Sequence, residues 1–154
     1  MIRVSSSSRL DDLTRRFVDH AEATRELSKL DNDVPAFNRH VKKMMAVGDA
    51  LTALPEGRVR LEKLMTDRKP FVRLRAAQEV RRWAPHLAIP VLGRLIADDF
   101  KAELSPGERL ELRISAKDSL CIHFDIMSFD QNDLIEPLAA YGIDLPWQDH
   151  SVWQ

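Results

Sequence analysis

Apolar residues recur along this chain at intervals of three and four, and strict alternation of apolar with polar positions never persists. The pattern predicts an all-α protein of about seven helices and no strand. The first stripe is Leu10, Leu13, Phe17, Ala21 and Leu27, with Ser8 placed to cap it. Asp31, Asn32 and Asp33 interrupt it, and Pro35 opens a second helix with Phe37, Val41, Met44, Gly48 and Leu51 on one face. The two are expected to form an antiparallel hairpin. Pro55, Glu56 and Gly57 read as a turn, and helices are expected over 58–66, 71–84 and 87–98. Ser105, Pro106 and Glu108 mark the start of a long sixth helix. Its expected buried face is Leu110, Ile114, Leu120, Cys121, Phe124 and Met127, with Arg109, Glu111, Arg113 and Lys117 opposite. A last helix from Asn132 to Tyr141 should stop at Gly142, with Asp133 near its positive end.

The segment from Leu61 to Ile96 is the most sharply punctuated. Leu61, Leu64 and Met65 end one helix, Asp67 and Pro70 mark a turn, and Val72, Ala76, Ala77 and Val80 form the stripe of the next. Pro85 stops that helix, and Ala88, Ile89, Leu92, Leu95 and Ile96 follow. Proline has no N–H to leave unsatisfied, so Pro70 suits a first helical turn, and Asp67 can accept from orphan N–H groups there. Ala76 and Ala77 permit close helix contact. Arg73 and Arg75 are expected on a polar flank, with Arg73 able to pair with Asp67.

A length of 154 residues suits one domain, taken as 1–154 with a flexible 1–7 and a tail at 143–154. Hydrophobic residues are 44% and charged residues 31%, a balance that excludes extended disorder. Cys121 is alone and cannot form an internal bridge, and no apolar run is long enough to span a bilayer, so a cytoplasmic protein is expected. The net charge of −1 hides a partition. Between Arg39 and Arg82 there are twelve Lys or Arg against five Asp or Glu. Residues 118–154 contain no Lys or Arg, and their acids are Asp118, Asp125, Asp130, Asp133, Glu136, Asp144 and Asp149. These blocks either attract one another within the fold or leave an acidic docking face for a basic protein. Trp147 and Trp153 in the tail are either partner anchors or fold back on the last helices. Packing is the favoured expectation, because a pair of exposed indoles invites aggregation.

Catalytic chemistry leaves little trace. Cys121, His123 and Asp125 are close in sequence, but helical positions two apart point to different faces, and no second Cys or paired His completes a metal set. The other histidines, His20, His40, His86 and His150, are scattered. No phosphate-cradling glycine loop and no G-x-S-x-G occurs. Asp11 with Asp12, and Asp98 with Asp99, read as solvated faces. The expectation is a protein without cofactor or metal that is not an enzyme.

Asp67, Pro70, Val72, Arg73, Ala76 and Ala77 supply the pattern D-x-x-P-x-V-R-x-x-A-A, which resembles a HEAT repeat. Together with the stretch from Asn38 to Asp49 and with Pro55–Arg58, it resembles a bacterial domain-of-unknown-function family of HEAT-like helices linked to polymorphic toxin immunity proteins. The similarity covers roughly residues 9 to 97. It implies a right-handed α-solenoid of antiparallel hairpins that binds a cognate toxin and occludes its active site. Asp125, Asp130, Asp133 and Glu136, with Trp147 and Trp153 as anchors, are the candidate contacts, suited to a basic toxin that acts on nucleic acid. The alternative is a HEAT-like scaffold or nucleic-acid-binding module using Arg39, Lys42, Lys43, Arg58, Arg60, Lys63, Arg68 and Lys69.

Overall fold

A computed structural model describes residues 6–29 and 34–149, and every regular element among them is helical. They are α1 (Ser6–Lys29), α2 (Val34–Thr52), α3 (Pro55–Leu64), α4 (Pro70–Val80), α5 (Pro85–Ala97), α6 (Pro106–His123), a 3₁₀ turn (Gln131–Leu134) and α7 (Ile135–Ala139). The breaker at Asp31–Asp33 lies outside the described residues.

Four consecutive helices begin on proline, at Pro55, Pro70, Pro85 and Pro106. For α3, α4 and α5 no side chain caps the N-terminus, so the preset φ and missing N–H of proline carry the start signal. This also corrects the turn expected at Pro55–Gly57, which is already helical. Ser8 likewise falls inside α1. The expected helix 71–84 ends at Val80, where residues 81–83 turn into α5. At the turn before α4, the Asp67 carboxylate accepts from Lys69 N–H at 2.8 Å, while Arg73 Nη1 donates to the Asp67 carbonyl rather than to its carboxylate.

Helix α4 is enclosed. Pro70, Phe71, Val72, Leu74, Arg75, Ala76, Ala77 and Val80 are all buried, which leaves a single helix with almost no solvent face. It packs on α1, α3, α5 and α6. A helix apolar around most of its circumference is stable only when neighbours cover it, and each fully buried large side chain contributes about 1.5–3 kcal/mol. Phe17, Leu51, Leu61, Phe71, Leu74, Ile89, Leu92, Leu112 and Leu120 form the continuous interior around it.

Arg75 does not sit on the polar flank its sequence position implied. It is 8% exposed, Nη1 donates to Gln78 Oε1 at 3.2 Å, and neither Nε nor Nη2 has a partner among the described residues. Burial lowers its pKa, partly offset by the field of Glu111. Gln78 continues the seam to Ser119 Oγ at 3.0 Å, and Ser119 donates to the Ser115 carbonyl.

Helix α6 is tied to α1 by charge. Ser105 and Glu108 form a reciprocal capping box, as the sequence anticipates, and the second Glu108 oxygen accepts from Arg25 Nη1 at 2.8 Å. Glu108 is only 4% exposed. Arg25 also meets Glu22 and Glu26, and the bond to Glu108 is the main reason its pKa is held above the ordinary arginine value.

The expected buried face of α6 is corrected. Leu112, Ala116, Leu120 and Cys121 are buried, whereas Leu110 and Ile114 are half exposed and Met127, beyond the helix end, is 81% exposed. The helix carries two apolar stripes on roughly opposite sides. Leu112, Ala116 and Leu120 form the inner one, with the buried carboxylate of Glu108 in line with them. Leu110, Ile114 and Cys121 form the outer one, covered only at its Cys121 end. The last expected helix, 132–141, is a 3₁₀ turn followed by one short α-helical segment, and Gly142 ends it at φ +76°.

Gly57 is required by a close approach, since a Cβ there would fall on the carbonyl oxygen of Leu51 at the end of α2. Gly57→Ala is expected to lower stability by about 2–3 kcal/mol, read as the urea midpoint at unchanged slope. Arg75→Met has the opposite sign: it removes a buried cation with orphaned donors, while Glu111 and Gln78 keep partial solvent contact. Its thermal midpoint should rise above that of the parent chain.

Candidate functional site

The C-terminal third is built on α6 and on a tail strapped across it. Ile143 and Leu145 are 2% and 3% exposed, with Ile143 seated against Gly93 of α5. Asn132 then clamps the backbone of Gln148 from both sides: its Nδ2 donates to the Gln148 carbonyl at 2.9 Å, and its Oδ1 accepts from Gln148 N–H at 2.8 Å. Asn132 is itself buried, so this pair is shielded from competing water. The tail backbone packs, but the favoured expectation that its indoles fold back fails at Trp147, which stays 73% exposed between these anchors. Trp153 and His150 lie outside the described residues.

The loop between α6 and the 3₁₀ turn holds two non-glycine residues in the left-handed region, Asp125 at φ 55° and Phe129 at φ 52°. For a bulky aromatic this conformation costs about 1–3 kcal/mol and persists only where surrounding structure enforces it. The enforcement is visible. Ser128 Oγ donates to Asp133 at 2.6 Å, Asp130 caps the turn by accepting from Asn132 N–H at 2.9 Å, and Asn132 holds the tail.

The acidic candidates do not form one patch. Asp133 and Glu136 line a shallow cleft with Phe124, Ile126, Asn132 and Pro137. Asp130 lines a different one, facing Leu110, Arg113, Ile114, Lys117 and Phe129. Asp125 is exposed and lines neither. Trp147 is linked to the Asp133–Glu136 cleft through Gln148 and Asn132. Exposed apolar area concentrates in the same third, at Ile122, Met127, Phe129 and Trp147. Sequence reasoning missed Leu110, Ile114, Phe129 and Asn132. Only the second i, i+4 apolar pair on α6 signalled any of them in advance.

Much of the basic segment is committed to holding helices together. Arg58 stacks over the Trp83 ring at 5.5 Å and donates to the Thr52 carbonyl. Arg60 pairs with Asp11, and Arg82 with Asp49 and Glu79. Burial raises the pKa of Glu79, with Arg82 working against it.

No group of three or more metal-ligating side chains is assembled among the described residues. Cys121 is buried, which pushes its thiol pKa up. His123 packs edge-on to Phe124. His20 and His40 face each other across α1 and α2 with their Nδ1 atoms 3.1 Å apart. No protein-family model, curated protein or solved structure matches the chain.

The pKa of His20 is lowered by burial and then by the charge of His40, Lys43 and Arg16, and that of His123 by burial and Arg81. Both fall below the ordinary 6.5, so the unfolded chain binds more protons in that range. Stability is therefore complete above pH 6.5 and lost as pH falls below it through the folded values. Urea midpoints should decline from pH 7.5 to pH 5, and His20→Gln should flatten the decline while leaving the plateau near pH 7.5 in place.

Proposed function

We propose that the chain is a non-enzymatic immunity protein that binds a cognate toxin and covers its active site. The observation that carries this reading is Trp147, an exposed indole on a backbone already immobilised by Asn132 and by the buried Ile143 and Leu145. Such an anchor gives large contact area with its ordering cost already met, which is how binding hot spots are built. Linked to it through Asn132 and Gln148, Asp133 and Glu136 stand exposed on a cleft that Phe124, Ile126 and Pro137 also line, complementary to a basic surface such as a toxin that acts on nucleic acid carries. Exposed Asp125 adds charge at the margin, Asp130 opens onto a different cleft, and inhibition is steric and electrostatic.

The same proposal takes the helices as a HEAT-like stack of antiparallel hairpins with right-handed sense. Sequential packing of α1 on α2, α2 on α3, α3 on α4, α4 on α5 and α5 on α6 supports it, whereas the direct packing of α1 on α4 and α6 closes the stack more than a linear array of repeats would. It places the protein in the cytoplasm, where a toxin would reach nucleic acid. No helix of the described residues is long and apolar enough to cross a membrane. The nucleic-acid alternative is weakened by the internal use of Arg58, Arg60 and Arg82.

The reading predicts a toxin gene adjacent to this one, and coexpression of the chain should restore growth to cells that express that toxin. A Trp147→Ala, Asp133→Arg, Glu136→Arg variant with unchanged helicity should not, and its association with the toxin should slow about tenfold at low salt. Unimpaired rescue by that variant sinks the assignment. A gel shift of duplex DNA or RNA that K42E/K43E abolishes would instead favour the nucleic-acid module.

A further inference from the structure

The outer stripe of α6 bears on a second surface. Leu110 and Ile114 are 50% and 40% exposed, and they lie in line with Cys121, which the rest of the fold buries. An apolar stripe thus runs the length of α6 with one end covered and the other open. Phe129 forms the far wall of the open end, and Gln131 and Gln148 its floor. The groove continues past Arg113, Gln131 and Gln148 into a second cleft lined by Lys101 and Arg109.

Charge defines what fits. Arg109, Arg113 and Lys117 follow one another at i, i+4 and i+8, a basic ridge parallel to Leu110 and Ile114. Arg113 has no ion-pair or hydrogen-bond partner among the described residues, and Arg109 reaches only the Leu104 carbonyl, at 3.3 Å. Lys117 meets Asp118 loosely, at 3.7 Å. Of the acids that face the groove, Asp99 accepts from Lys101 N–H and Asp130 from Asn132 N–H, while Asp98 meets Arg94 only loosely, at 3.9 Å. The open cations therefore outnumber the open anions, beside two aliphatic side chains and an aromatic wall.

We propose that this groove docks an acidic amphipathic helix of a partner protein, whose apolar residues at i and i+3 or i+4 cover Leu110, Ile114 and Phe129 while its carboxylates meet Arg113 and Lys117. Apolar contact supplies affinity, and the basic ridge selects acidic helices over basic ones. A nucleic-acid backbone would use the cations and leave the stripe uncovered. The surface is separate from the Asp133–Glu136 cleft, so it does not depend on the immunity reading.

The test uses the full chain and a fluorescein-labelled helical peptide of about fourteen residues, four turns, with leucines on one stripe and glutamates elsewhere. Controls are a scrambled peptide and one with lysine replacing every glutamate. Anisotropy at low salt should show the acidic peptide binding at least tenfold more tightly than either control, and binding should weaken as salt rises. L110E/I114E should abolish binding and R113E/K117E should weaken it about tenfold, both with parental helicity; all four side chains are at least partly exposed. D133R/E136R should leave it unchanged, which separates this surface from the first. Equal binding of the three peptides, or none of the acidic one at millimolar concentration, overturns the proposal. So does concentration-dependent self-association that L110E/I114E removes, because the occupant would then be a second copy of this chain.

Discussion

Enclosure of α4 is the constraint on which the architecture rests. With Phe71, Val72, Leu74, Ala76, Ala77 and Val80 all buried, this helix offers solvent only a narrow polar edge at Arg73, Gln78 and Glu79, too little for it to lie at a surface. Neighbours must surround it, and α1, α3, α5 and α6 do. Ala76 and Ala77 let them approach closely, and the dense interior that results explains how Arg75 comes to be buried with two donors unmatched. An ion with such a poor set of partners is a cost of the enclosure and adds nothing to it.

Once α4 is enclosed, the geometry of α6 follows. Its inner stripe must cover α4 and α5, and Glu108 sets its first turn by meeting both its own N-cap and Arg25 of α1. That junction joins segments far apart in the chain through a nearly dry carboxylate, where charge-assisted bonds are strongest. With one face committed inward, the second apolar stripe of α6 is left outside. Only its Cys121 end is buried.

Electrostatics divides along the same lines. The excess of cations in the middle of the chain is partly consumed internally, as Arg58 on Trp83, Arg60 with Asp11, and Arg82 with Asp49 and Glu79 show. The acids of the last third are not drawn into those pairs. They cap turns, as Asp130 does, or stand in solvent, as Asp125, Asp133 and Glu136 do. The two charge blocks thus do not simply neutralise each other, and the exposed indole of Trp147 belongs to the acidic stretch of the chain.

By itself the sequence determined the helical class, the proline-marked starts of α4 and α6, the capping box at Ser105 and Glu108, and the stripe of α4, whereas Pro85, read as a helix stop, is the first residue of α5. Each is a local matter, settled by φ restriction, missing N–H groups and 3.6-residue periodicity within one or two turns. The tail's acids and Trp147 were also legible as candidates, because composition alone marks them. Tertiary structure decided which of α6's two apolar stripes is core, since periodicity reports that a stripe exists and cannot say what lies opposite it. It also decided that Arg75 is interior, that Glu108 finds Arg25, that Asp130 lines a different cleft from Asp133 and Glu136, and that Asn132 holds the backbone beside Trp147. All of these depend on partners distant in the chain, which only the packing of whole helices brings within reach.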